Sequence, residues 1–291
     1  MRIGRPSMNP LGRSPTAKNV RGRRQAAFTM VEIALSLAII GFALVAIVGV
    51  LPLGLQVQRE NREETVILQD AQVWLSAIRA GARGYDDLTN AVETITVHWA
   101  DWSMNGTLLG QGRDLYTRTN SDITSISPPP FLPLTNGYTI VGVLSTPRYV
   151  YLPNVFQPVA FRSNYVVAHV RAFSGSAVEK FPQRDPAVEE LAFRYRMVSE
   201  VMPYTHWDTN WIAFDATGLS PAEMVQRSNY WWVTRNLHVN LHEVRLLFTW
   251  PLRPNGQTGN GRMVFRGAVS GVRSNAGPLN FFHPGTFARY P

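Results

Sequence analysis

Glu32 is the only charged side chain between Phe28 and Gln56. A carboxylate in an apolar helix costs on the order of a few kcal/mol and by default marks function. His238 and His242 lie four residues apart with Glu243 beside them. That spacing on a helix could ligate a metal, but the order is not H-E-x-x-H. The segment reads as a strand, where two such side chains would stand about 13 Å apart, so structural histidines are expected. Asp114 and Asp122 sit in turn-rich stretches, yet calcium needs about six to eight converging oxygens, and no such spacing is present. Trp207, Trp211, Trp231 and Trp232 lie close in sequence to Tyr204 and Tyr230. Exposed, they would form an adhesive or sugar-stacking patch; packing beneath long loops is the expectation. No G-x-S-x-G, P-loop or dinucleotide fingerprint appears, so the sequence supports no catalytic residue, no metal and no cofactor.

The element that must position Glu32 is the run from Ile33 to Leu55, which holds one hydroxyl, Ser36, and no charge. Its 23 residues would span roughly 34 Å as a helix, enough to cross a hydrocarbon core. Residues 1–27 carry seven basic groups and no acid, which accounts for +7 of the formal net charge of +8. The remaining 264 residues are nearly neutral, so nucleic acid loses its support as a partner. The basic leader before an apolar run predicts a cytoplasmic N-terminus and an exported remainder. A secretory signal peptide would be shorter and followed by a small-residue cleavage site. A plain signal anchor fits the length and could hold Glu32 by snorkelling, but gives it no purpose. Pro52 should kink the helix near Val48–Leu51, and Gly41 and Gly49 share a face where helices could pack closely.

Ala27-Phe28-Thr29-Met30-Val31-Glu32, followed by an apolar helix with Ile39-Ile40-Gly41, resembles the cleavage and methylation signature of type IV prepilins and pseudopilins. The resemblance covers residues 22–55. It implies a cut between Ala27 and Phe28 by a prepilin peptidase, N-methylation of Phe28, and an assembly role for Glu32 at the fifth mature position. Ala27 departs from the usual Gly of that junction, adding one methyl where a backbone-reading peptidase prefers none. Phe42 to Leu55, together with the ending around Val244-Arg245-Leu246 and Trp250-Pro251, is also similar to the cassette B proteins of Verrucomicrobia, pilin-like members of small gene cassettes.

From Gln56 to Arg83 the pattern turns amphipathic. Val57, Thr65, Leu68, Val73, Leu75 and Ile78 alternate at helical spacing with charges that include Asp70. Gly81 and Gly84 read as its end, so one helix of about 50 residues is expected, far above the usual length. Beyond it, strands are expected over 91–99, 138–144, 149–152, 165–173 and 191–201. A hairpin is expected from 236–250 and 262–269, and loops over 127–133 and 181–186. The fold class is α+β: a long helix packed on an antiparallel sheet, the lollipop shape that the resemblance implies. The expected divisions are a leader at 1–27, a transmembrane or filament-core helix at 28–55, its amphipathic continuation at 56–84, and an exported head at 85–291. With no cysteine, disulfides and thiol chemistry are excluded.

Two functions follow as expectations. The first is a minor pilin or pseudopilin in a type IV pilus or type II secretion-like filament. Its partners would be the prepilin peptidase/methyltransferase, other pilin-like subunits and the inner membrane, with the head in the periplasm or at the cell surface. The second is an anchored, exported enzyme or carbohydrate-binding head. A concave site lined by paired carboxylates or by the tryptophans would favour the second.

Overall fold

A computed structural model describes residues 28–81, 85–127, 130–151, 160–173, 193–205 and 218–289. The chain divides into two units, residues 1–57 and 58–291. In the first, helix α1 (Met30–Ala80) begins, and its apolar part is long enough to cross a membrane. Its most apolar window has a mean hydropathy of 2.8 and none of it is buried. The helix runs through Pro52 without a break.

In the second unit, the last turns of α1 bury Val66, Ile67, Ala71, Trp74, Leu75, Ala77 and Ile78. This stripe differs from the one expected from sequence. Val57, Thr65, Leu68 and Val73 are exposed, while Asp70 is fully buried. Two overlapping apolar stripes run along this segment, and the sheet takes the one carrying Ile67, Trp74 and Ile78, which draws Asp70 in with it. The helix stops at Gly81, whose φ of +70° suits a residue without Cβ. A side chain there would also press on the Phe282 carbonyl, 2.7 Å away. Gly84 lies outside the described residues.

The sheet is antiparallel with order β3-β2-β1-β5-β6-β7-β8, and β4 also pairs with β5. Its strands are β1 (Val92–Trp102), β2 (Leu108–Thr117), β3 (Ser121–Asp122), β4 (Tyr149–Tyr151), β5 (Phe161–Arg171), β6 (Arg194–Pro203), β7 (Leu241–Leu252) and β8 (Thr258–Ser270). A separate hairpin joins β9 (Val272–Ala276) and β10 (Leu279–His283). Short helices α2 (Leu88–Ala91) and α3 (Gly137–Leu144), and the longer α4 (Pro221–Asn240), complete the described elements. The class is α+β, with a long N-terminal apolar helix and a large antiparallel sheet.

Three segments depart from the sequence reading. Residues 138–144 form α3 rather than a strand. Asn136 caps it, its side chain accepting from the Thr139 N–H at 2.8 Å, and Gly142 lets Phe281 lie against it. Periodicity alone does not separate a short buried apolar helix from a strand. Residues 236–240 end α4 instead of opening β7. In β1, simple alternation over 91–99 would put Val92 on one face with Thr94, Thr96 and His98, but Val92 turns to the core together with Ile95 and Val97, because a register shift falls between Val92 and Thr94. Thr94, Thr96 and His98 keep the opposite face. The predicted hairpin of β7 and β8 is present, with Leu246 opposite Phe265.

One core joins the end of α1 to the inner sheet face, α3 and the β9–β10 hairpin. At its centre the Trp74 indole N–H donates to the Tyr195 hydroxyl at 2.9 Å, and that hydroxyl donates to Asp70 at 3.0 Å. The Phe173 N–H donates to the same carboxylate at 3.0 Å. Burial, and then the Asp70 charge, push the Tyr195 pKa well above its ordinary value, so the phenol keeps its proton.

Candidate functional site

Phe28 precedes the first turn of α1 and is 75% exposed. Thr29 caps that turn. Its carbonyl accepts from the N–H groups of Glu32 and Ile33 at 3.0 and 3.1 Å, and its Oγ1 also accepts from the Glu32 N–H at 3.3 Å. Thr29 and Glu32 thus stand at the spacing of a capping box, a feature legible in T-x-x-E but not recognised from the sequence. The Glu32 carboxylate is exposed in the first turn, where the helix dipole favours a negative charge. Glu32 therefore has a local structural role available besides any intermolecular one. Ser36 returns its hydroxyl to the Glu32 carbonyl at 2.7 Å, which hides the run's one hydroxyl from an apolar surrounding. Ala27 and residues 1–26 lie outside the described residues.

The other candidates separate cleanly. His238 closes α4 with its Nδ1 3.0 Å from the Thr205 carbonyl oxygen, while His242 is buried in β7 against the Phe282 ring. Burial first, then Arg273 and His238, lower the His242 pKa to about 4. No group of three or more metal-ligating side chains occurs among the described residues. Asp114 is buried and holds the turn after β3, accepting from the N–H groups of Thr124 and Ser125 at 2.8 and 3.0 Å and from the Trp99 indole at 3.3 Å. Asp122 is exposed and stands opposite Leu115 where β3 pairs with β2. Trp231 and Trp232 are half-buried on α4, a helix with no buried residue, and Tyr230 is exposed. Neither tryptophan belongs to the main core. Arg235 covers both indoles, at 5.2 and 5.6 Å from the ring centres. Trp207 and Trp211 lie outside the described residues.

A concavity that the sequence reading did not find lies on the outer face of the sheet, across β2, β1, β5 and the segment leading into β4. It has a volume of about 550 Å³ and is lined by His98, Gln111, Arg113, Arg148, Ser163 and Tyr165 together with neighbouring backbone. Cross-strand register builds it. Gln111, Ala100, Ser163 and Tyr149 stand opposite one another in one row, and Arg113, His98 and Tyr165 in the next. Opposed residues share a face, so small Ala100 and Ser163 form a floor between taller neighbours. Beyond that floor Trp102 stacks on Phe161, with centroids 6.2 Å apart and planes at 10°, and its indole N–H donates to the Ser163 hydroxyl at 2.9 Å. The Arg148 guanidinium pairs with Glu200 and lies 5.6 Å from the Tyr165 ring centre and 5.9 Å from that of Tyr149. Among the described lining residues there is no carboxylate. Alternation within β1 and β5 marks their outward residues, but only the register shows which of them meet.

Comparison of the chain with family models, with curated proteins and with solved structures finds no match in any of the three.

Proposed function

We propose that the chain is a prepilin-like precursor of a filament subunit, a minor pilin or pseudopilin, cut before Phe28 and assembled through the apolar part of α1. The observation that carries this reading is the unburied apolar part of α1, whose one charged residue up to Gln56, Glu32, lies in the first turn, four residues after Phe28. Cleavage there would leave an α-ammonium on Phe28 at the membrane edge. An unpaired ion in that setting is costly, and a carboxylate one turn away offsets part of the cost. In a filament, Glu32 of one subunit would pair with the ammonium of the next and set the axial register. Apolar helices alone slide, since neither lipid nor a leucine-rich face specifies position. Gly41 and Gly49 have nothing within 4 Å of where a Cβ would sit, so both leave room for close helix approach. The seven basic residues before Phe28 support a leader held in the cytoplasm and a remainder carried across the inner membrane. This reading assigns no catalysis and no cofactor.

Replacing Glu32 with Gln tests the charge without removing Thr29 as the cap, because the cap uses the Glu32 backbone N–H. The variant should insert in the membrane as the parent chain does, yet fall by about tenfold or more in sheared filaments, the effect of losing roughly 1.4 kcal/mol per contact. Incorporation equal to that of the parent would sink the pairing role.

A further inference from the structure

The outer-face groove has three properties that together select a ligand. Its floor is low, because Ala100 and Ser163 are the small members of their rows. Its side offers a ring, Tyr165, which is 37% exposed, and Tyr149, 54% exposed, stands next to it beside Ser163. Its polar rim carries two guanidiniums, the exposed Arg113 and the Glu200-paired Arg148, with the exposed His98 beside Arg113. Glu200, beside the groove, is already engaged by Arg148. The buried carboxylates Asp101 and Asp114 belong to the opposite face of the sheet, where Arg162 takes Asp101 in two bonds of 2.6 and 2.8 Å.

We propose that this groove binds an acidic oligosaccharide, a short chain of sugars bearing uronate carboxylates. Flat rings spaced along a shallow trough take the apolar C–H faces of sugar rings, as aromatic side chains do where one side of a ligand is apolar and the other wet. The planar guanidinium fork of Arg113 matches a carboxylate in two parallel bonds. The Gln111 amide supplies the donor and acceptor that hydroxyls require, and the Ser163 hydroxyl, which accepts from Trp102 and donates to the Ala100 carbonyl, keeps one lone pair to accept with. A neutral sugar would use the rings and leave Arg113 and His98 in water. A nucleic-acid strand also combines stacking with positive charge. Its affinity, however, comes from many phosphate contacts, and this groove offers two arginines, one of them already paired with Glu200, within a region that is nearly neutral overall. The proposal does not depend on processing before Phe28.

The test is calorimetric titration of the full chain in detergent micelles with trigalacturonate, with the neutral galactotriose of the same length, and with hexathymidylate. Trigalacturonate should bind at least about tenfold more tightly than galactotriose. Arg113→Gln should weaken trigalacturonate by about tenfold, the usual worth of a charge-assisted pair. Ala100→Leu, which raises the floor and leaves every charge in place, should reduce binding by roughly thirtyfold or more, with unchanged circular dichroism. The proposal is overturned by equal affinity for the two trisaccharides, or by tighter binding of hexathymidylate. It is equally overturned by no binding of trigalacturonate up to about 10 mM, or by either variant binding as the parent does.

Discussion

Tyr195→Phe removes one oxygen from the middle of the core and leaves the ring. Tyr195, Trp74 and Asp70 are each fully buried, so water cannot replace what is lost. The hydroxyl takes part in two bonds, accepting from the Trp74 indole at 2.9 Å and donating to Asp70 at 3.0 Å. A hydrogen bond to a charged group contributes about 1.5–3 kcal/mol, and a stranded buried donor costs about 1–3 kcal/mol. Asp70 keeps the Phe173 N–H, so its charge is not abandoned, and the lower half of the combined range applies. The expected loss is about 3 kcal/mol, or on the order of 10 °C in melting temperature for a region of this size. The assay is urea unfolding of the full chain in micelles, followed by near-ultraviolet circular dichroism. Trp74→Phe supplies the second arm of a double-mutant cycle, in which the two changes should couple by about 1 kcal/mol. A Tyr195→Phe loss under about 0.5 kcal/mol, with no coupling, would refute the view that this chain of bonds fastens α1 to the sheet.

His242 makes stability depend on pH. Its folded pKa of about 4 lies below the ordinary 6.5, so the unfolded chain binds the extra proton between those values. Its contribution is full above pH 6.5 and is lost as pH falls towards 4, by up to about 3 kcal/mol. His242→Phe should flatten that slope when urea midpoints at pH 7.5 and pH 4.5 are compared, and an unchanged slope would contradict the assignment. Asn136→Ala should cost about 1 kcal/mol by removing the α3 cap; no change in urea midpoint would show that burial alone holds this helix.

What the sequence could show depended on the range of the forces involved. The 51-residue helix was legible because hydropathy, charge and the Gly81 stop all lie along one segment. The β7–β8 hairpin was legible for the same reason. Helix α4 carried its own start signal in Ser220-Pro221-Ala222-Glu223, now seen as a complete capping box, but its aromatic and β-branched residues masked it. Helix α3 and the burial of Asp70 were not legible. In each, a local preference yields to partners far away in sequence: Phe281 against Gly142, and Tyr195 for Asp70. The groove lay beyond reach because β1, β2 and β5 meet through a register that no single strand encodes. Glu32, in contrast, stood out at once, since one charge in an apolar helix requires no tertiary knowledge to notice.

The central claim, maturation at Phe28, is tested most directly by mass spectrometry of the N-terminal peptide recovered from the membrane fraction. The account predicts a chain that starts at Phe28 with a single methyl on its α-nitrogen. A chain that retains the seven basic residues of positions 1–27, or one that starts at any other residue, would contradict it.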